Sequence, residues 1–170
     1  MMFEEVDRKS TRSYGVNQEN IITDIFDDYY SSFAVNYNSA YLFYPFYKPI
    51  GKSYSGIVLY SKFKITDSLR RSLPISTGFS KFLDLDRCYS ISRINVENGK
   101  ELVLFTVHLS AYGNSDEIRE AQLNMLFKDM EKEVEDGNYV ICGGDFNHDL
   151  KADEAKSDET ESWAYPFPRS

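Results

Sequence analysis

The stretch from Glu101 to Asn147 constrains the fold more than any other part of the chain. "ELVLFTVHL" places Leu102, Val103, Leu104, Phe105 and Val107 in a nearly unbroken apolar run. A strand that is apolar on both faces needs a layer against each of them. After "SAYGN" comes "SDEIREAQLNMLFKDMEKEVEDG", with acids in its first turn and Gly137 as a stop, which predicts a helix. "YVICGGDFN" then returns to a buried, apolar strand. Strand, helix and strand in this order form a crossover unit, so the two strands are expected as parallel, neighbouring interior strands under the helix.

"RCYSISRINV" joins the first of these strands through "ENGK", where Asn98-Gly99 supplies a hairpin turn. Parallel pairing on one side and antiparallel on the other make a mixed sheet. Further upstream, "VNQENIITDIFDDYYSSF" spaces Ile21, Ile22, Ile25, Phe26 and Tyr29 at helical intervals, with Asn17 as its cap. "AVNYNSAYLFYPFYKPIGKSYSG" carries Pro45 and Pro49 and reads as a short strand followed by loop. "IVLYSKFKI" gives a strand from Ile57 to about Ser61, and "RSLPISTGFSKFLDLD", broken by Pro74, reads as irregular or edge structure. Lys151 to Ser170 reads as loop, with Trp163, Tyr165 and Phe167 tacking the terminus down. No repeat or Gly/Ser linker divides residues 1–170, so they are read as a single domain.

A formal net charge of −8 argues against broad, non-specific adhesion to nucleic acid, whose affinity comes from Lys and Arg neutralising phosphates. Charge is uneven: from Lys48 to Arg93 nine basic residues stand against three acids, read as a solvated surface rather than an anion-binding wall. Cys88 and Cys142 each sit in an apolar strand, which suggests buried thiols and a reducing, cytoplasmic setting. No run is long enough to span a bilayer as a helix, and the chain is expected to be a monomer.

Polar residues at strand ends carry the functional signal. Asp145 and Asn147 flank Phe146, so on an extended segment they would face one way while Phe146 turns back. They stand at the C-terminal end of a strand, where open α/β sheets build binding crevices. His108 ends its own strand in the same manner. On the helix, Arg119 and Gln122 fall within the sector of Leu123, Leu126 and Met130, so polar groups lie on the buried stripe and need partners. They are read as supports that tie the helix to neighbouring backbone or carboxylates at the edge of a site. In "FEEVD", Phe3 and Val6 bracket Glu4 and Glu5, which would expose one acid and direct the other inward.

Taken in order, these segments resemble the endonuclease/exonuclease/phosphatase family. "FEEVDRKSTRSYGVNQ" is similar to its Gln-Glu-Val-Asp motif, with Glu4 in place of the usual Gln and Glu5 at the metal-binding Glu. "SGIVLYSKFKI" is similar to its Gly-x-x-x-Leu-Ser-Arg-x-x-Ile strand, "FTVHLSAYGNSDEIREAQLNML" to its Val-His-Leu segment with Arg-x-x-Gln, and "GGDFN" to its Gly-Asp-Phe-Asn motif. The resemblance runs from Phe3 to Leu150. It implies an α/β, four-layer sandwich of two mixed β-sheets flanked by helices, and a Mg²⁺-dependent phosphoesterase, with Mn²⁺ as a substitute. Glu5 would coordinate the metal, His108 would hydrogen-bond the scissile phosphate, Asp145 would orient and deprotonate the attacking water, and Asn147 would hold phosphate or metal-bound oxygens. The phosphoester substrate would be a small molecule, a lipid headgroup or a nucleic acid, and the acidic balance favours the first two over long duplex DNA. The family's pattern also has an Asn-bearing strand before the Glu motif and a Ser-Asp-His motif after the Asp-Phe-Asn. Only Met1 and Met2 precede Phe3, and nothing after Asn147 matches, so the resemblance implies a sandwich truncated at both ends and weak or absent activity of the chain by itself. The second reading is an inert binding domain that keeps the fold.

Overall fold

The computed structural model describes residues 1–42, 47, 49, 51–75, 86–110, 116–149 and 165–166. Two sheets carry the architecture. The first has the order β1–β3–β2, from Met2–Asp7 (β1), Tyr30–Leu42 (β2) and Gly51–Ser61 (β3), and its described pairs are antiparallel. The second has the order β4–β5–β6–β7, from Asp67–Ser72 (β4), Cys88–Asn95 (β5), Glu101–His108 (β6) and Tyr139–Asp145 (β7). It is mixed: β5 and β6 are antiparallel, whereas β6 and β7 are parallel, with His108 opposite Asp145 in register.

Side chains alternate across each strand and so divide the core into three layers of contact. On β6, Val103, Phe105 and Val107 face outward to Leu123 and Leu126 of the helix Asp116–Glu135 (α2). On its other face Leu104 meets Leu59 of β3 and Ile94 of β5 between the sheets, next to a cluster of Ala34, Ile57 and Cys88. On the far side, Val58 and Tyr60 of β3 pack with Ile22 and Phe26, which belong to the helix Gln18–Ile25 (α1) and its C-cap. Helix, sheet, sheet and helix therefore stack in four layers, as expected.

Local chemistry accounts for the ends of these elements. Asn17 caps α1 by accepting from the Asn20 amide, and Gly137, at φ +81°, takes the left-handed turn that ends α2. Asn98 and Gly99 both have positive φ, which closes the β5–β6 hairpin. Gln122 is fully buried: its Oε1 accepts from the Ser110 amide at 3.1 Å, and its Nε2 donates to Pro74 O at 2.7 Å and Ser110 Oγ at 2.9 Å. Together with the buried Arg119 it occupies the α2 stripe as the periodicity requires.

Three expectations need correction. β7 is an edge strand among the described residues, not an interior one, and Tyr139 and Ile141 are 51% and 53% exposed. An apolar run reads alike whether or not a further layer covers its second side. The strand that opens the aromatic segment is long rather than short: β2 runs for 13 residues, because β3 supplies a partner along its length, while residues 43–46, 48 and 50, including Pro45, lie outside the described residues. Cys142 is half-buried rather than buried, although both cysteines are free thiols. Arg71 and Ser72 of "RSLPI" end β4, an edge strand among the described residues, while residues 76–85, Trp163 and Phe167 lie outside the described residues. Tyr165–Pro166 pairs in parallel with His148–Asp149 as two-residue strands.

Candidate active site

Two β-bulges and a glycine pair bring the polar residues together. A bulge puts one extra residue in a strand and re-aims its side chains. β1 advances from Phe3 to Val6 while β3 advances only from Val58 to Gly56, so Phe3 and Val6 both face α1 with two residues between them. Glu4 is thereby turned in between the sheets, and Glu5, at φ 53°, takes up the extra residue. A matching bulge on β2 lies between Val35 and Tyr37, with Asn36 as the additional residue. Both bulges flank Gly56 of β3.

The two glycines before Asp145 make room for β1. A Cβ at Gly143 would come within 2.8 Å of Met2 Sδ. At Gly144 it would meet Val107 O at 2.1 Å and Glu4 Oε1 at 2.8 Å, and φ there is +129°. Gly144 is demanded by its positive φ and by the Val107 carbonyl of β6, while Gly143 leaves the space that the Met2 side chain fills, so β1 passes close across the end of β7. It lays the Glu4 carboxylate beside the strand end that carries Asp145.

His108 is the centre of the arrangement and only 3% exposed. Its Nδ1 is 3.1 Å from Asn36 Nδ2 and 3.9 Å from Glu4 Oε2, while its Nε2 is 3.9 Å from Asp145 Oδ2. Contacts of 3.9 Å are too long for hydrogen bonds. Burial, then the Arg87 charge, depresses the imidazole pKa to about 4 against the opposing pull of Asp145 and Glu5, so the ring is neutral at physiological pH.

Glu4 is the inward acid, its side chain 20% exposed, and neither carboxylate oxygen has a hydrogen-bond partner. Desolvation, then repulsion from Asp145 and Glu5, pushes its pKa up to about 8, with the buried Arg87 opposing. Glu5 is the outer acid, 53% exposed, and Arg12 Nη1 holds its Oε2 at 2.9 Å. Arg12 also grips the buried Asp7, which fixes its guanidinium. Asp145 accepts the Asn147 amide on Oδ1 at 2.8 Å and keeps Oδ2 toward His108. Asn147 does not continue an extended strand; at φ 52° it turns, and its Nδ2 donates to Leu109 O at 2.8 Å, tying the segment after β7 to the end of β6.

His108 therefore lies between Glu4 and Asp145, Asn147 ties the segment beside them to Leu109 O, and Glu5 is exposed next to Glu4. Sequence reasoning did not single out Asn36, Arg87 or Arg12; it expected one of Glu4 and Glu5 to turn inward without saying which, and placed Glu4 where the family pattern has Gln. Three arginines of the basic segment are engaged within the fold: Arg71 pairs with Asp129 at 2.9 Å, Arg93 with Glu101 and Glu133, and Arg70 donates to the Val35 and Asp86 carbonyls. Among the described residues no three ligand-type side chains enclose a common point.

The family model for the endonuclease/exonuclease/phosphatase family matches residues 2–169. No curated protein matches the sequence. Among solved structures, the human Nocturnin catalytic domain with bound sulfate is 17% identical at a TM-score of 0.57, covering 88% of this chain and 51% of that one. ANGEL2, a 2',3'-cyclic phosphatase, is 16% identical at 0.59, covering 89% and 40%. D. rerio TDP2 complexed with a single-strand DNA product is 19% identical at 0.55, covering 90% and 50%. At these identities the likeness is one of fold, and this chain spans about half the length of those chains or less.

Proposed function

The chain belongs to the endonuclease/exonuclease/phosphatase family, and we propose that it serves hydrolysis of a phosphoester bond assisted by a divalent cation. The observation that carries this reading is the pair of orphaned Glu4 oxygens, crowded by Asp145 and Glu5 beside a neutral His108. Buried carboxylate oxygens without donors, crowded by further carboxylates, suit a hard cation. Mg²⁺ keeps several waters and needs only one or two carboxylates, so the lack of a preformed three-residue cage among the described residues is compatible with it, and with Mn²⁺. Glu4 and Glu5 are the residues that would hold it. When bound, such a cation neutralises charge on phosphoryl oxygens and polarises the phosphorus centre.

The chain's own groups divide the remaining work. Asp145 Oδ2, not engaged by the Asn147 amide, orients the attacking water and accepts its proton. His108, neutral, donates from Nε2 to a phosphoryl oxygen, where charge grows in the transition state. Asn147 gives one amide N–H to Leu109 O, and the second meets a phosphoryl oxygen. The other relatives frame the substrate class: one is a 2',3'-cyclic phosphatase and another holds a single-strand DNA product, so small phosphodiesters and single-strand ends belong in the same panel as phosphomonoesters and lipid headgroups. Monomeric state and a reducing, cytoplasmic setting, which the two free thiols support, are part of the same proposal.

A second reading, an inert domain that binds but does not hydrolyse, is favoured by Arg12, which already neutralises the Glu5 carboxylate. Turnover separates the two. The wild-type protein and Asp145→Asn are assayed on bis(4-nitrophenyl) phosphate and 4-nitrophenyl phosphate with Mg²⁺, Mn²⁺ or EDTA. Metal-dependent turnover that falls about 10²- to 10³-fold in Asp145→Asn is expected. Turnover indifferent to metal or to Asp145 would refute the mechanism, and none across the panel would support the inert reading.

A further inference from the structure

We propose that Asn36 is a positioning residue that holds the His108 imidazole in the tautomer with its proton on Nε2. The inference rests on hydrogen-bond direction. Asn36 is buried, and its Oδ1 lies 3.1 Å from the backbone nitrogen of Cys88. A backbone N–H can only donate, so the Asn36 atom facing it must be the carbonyl oxygen. That fixes the orientation of the amide, which an Asn otherwise leaves open. The atom 3.1 Å from His108 Nδ1 is then the NH₂ group, which can only donate. Nδ1 must therefore accept, and a neutral imidazole that accepts at Nδ1 carries its proton on Nε2.

The fold prepares this contact from several sides. Asn36 is the extra residue of the β2 bulge, and Cys88 pairs directly with His108 across β5 and β6, so one amide bridges the first sheet to two neighbouring residues of the second. The other groups about the ring are Glu4 from β1, Asp145 from β7, and Arg87, which precedes β5. Glu4 Oε2, at 3.9 Å, is too far from Nδ1 to compete for a proton there. The Nε2–H is consequently left on the side of Asp145. Functionally the inference rests on the phosphoesterase reading, because a donor at Nε2 is what a phosphoryl oxygen requires. With the proton on Nδ1, the same ring would present a lone pair to an anion.

The tautomer is measurable without substrate or metal. The chain has two histidines, so a long-range ¹H–¹⁵N correlation spectrum of the ¹⁵N-histidine-labelled protein at pH 7 contains two rings, and His148→Gln assigns them. For His108, Nε2 is expected at a protonated-nitrogen shift and Nδ1 at an unprotonated one. Asn36→Asp keeps the shape and still accepts from Cys88, but turns the second atom into an acceptor, so a proton is expected to appear on Nδ1. A wild-type His108 protonated on Nδ1 overturns the proposal, as does a folded Asn36→Asp protein that retains the wild-type pattern. Where Asn36→Asp does not fold, the wild-type spectrum decides. The functional reading is judged separately by turnover: the expected tautomer in a protein that hydrolyses nothing would keep the role of Asn36 and sink the enzyme.

Discussion

Replacing Glu4 by Gln should stabilise the metal-free protein, and by more at pH 7 than at pH 5. Glu4 has a folded pKa of about 8 against 4.5 for the free side chain, so the folded state holds a proton that the unfolded chain releases in between. Its contribution is harmless below pH 4.5 and costs stability increasingly as pH rises toward 8. Linkage gives a penalty of at most about 3 kcal/mol at pH 7 and about 1 kcal/mol at pH 5. Gln has nearly the same shape and cannot ionise, so Glu4→Gln should recover that difference. His108 titrates in the same window with the opposite sign, losing stability as pH falls from 6.5 toward 4. Its shift comes from burial, Arg87, Asp145, Glu5 and Arg12 rather than Glu4, so its contribution is common to both proteins. Urea unfolding in EDTA at the two pH values, read from the midpoint at constant slope, measures the effect. A gain that does not grow with pH, or a loss at both values, would refute the picture of a buried, unpaired carboxylate.

Two further substitutions probe how the site is built. Gly144→Ala would place a Cβ 2.1 Å from Val107 O in a backbone conformation with φ +129°, and should lower stability by more than about 3 kcal/mol in urea unfolding; a near-wild-type midpoint would show that the β6 backbone does not crowd Gly144 of β7. Gln122→Leu removes three hydrogen bonds and leaves the Ser110 amide buried without an acceptor, at about 2–4 kcal/mol. Hydrogen exchange at Ser110 should quicken in that variant, and unchanged protection would contradict the role given to Gln122.

The elements that the sequence made legible are those governed by local period and punctuation. The crossover of β6, α2 and β7, the Asn98-Gly99 hairpin and the cap at Asn17 each follow from side chains a few residues apart. Gln122 was legible for the same reason, since a polar residue inside an apolar helical stripe must find partners nearby. Glu4 and Asn36 were not, because a bulge is decided by register against another strand. The alternation that makes a strand readable is what a bulge interrupts, and it determines here which of two adjacent acids turns inward. Strand alternation would put Asp145 and Asn147 on one face, but Asn147 takes a left-handed turn, giving its backbone amide to Asp145 Oδ1 and its side chain to Leu109 O. The role of Gly143 and Gly144 was not legible either, because the groups that come near them, Met2, Glu4 and Val107, are distant in sequence.

The proposal that Glu4, Glu5, His108 and Asp145 form one cation- and phosphate-binding site is tested most directly by a crystal structure of the protein grown with Mn²⁺ and inorganic phosphate. Anomalous scattering would locate the metal. Mn²⁺ is expected on carboxylate oxygens of Glu4 or Glu5, with a phosphate oxygen within hydrogen-bond reach of His108 Nε2 and the anion beside Asp145. Mn²⁺ bound away from both glutamates, with phosphate out of reach of His108, would contradict the assignment of these residues as the site.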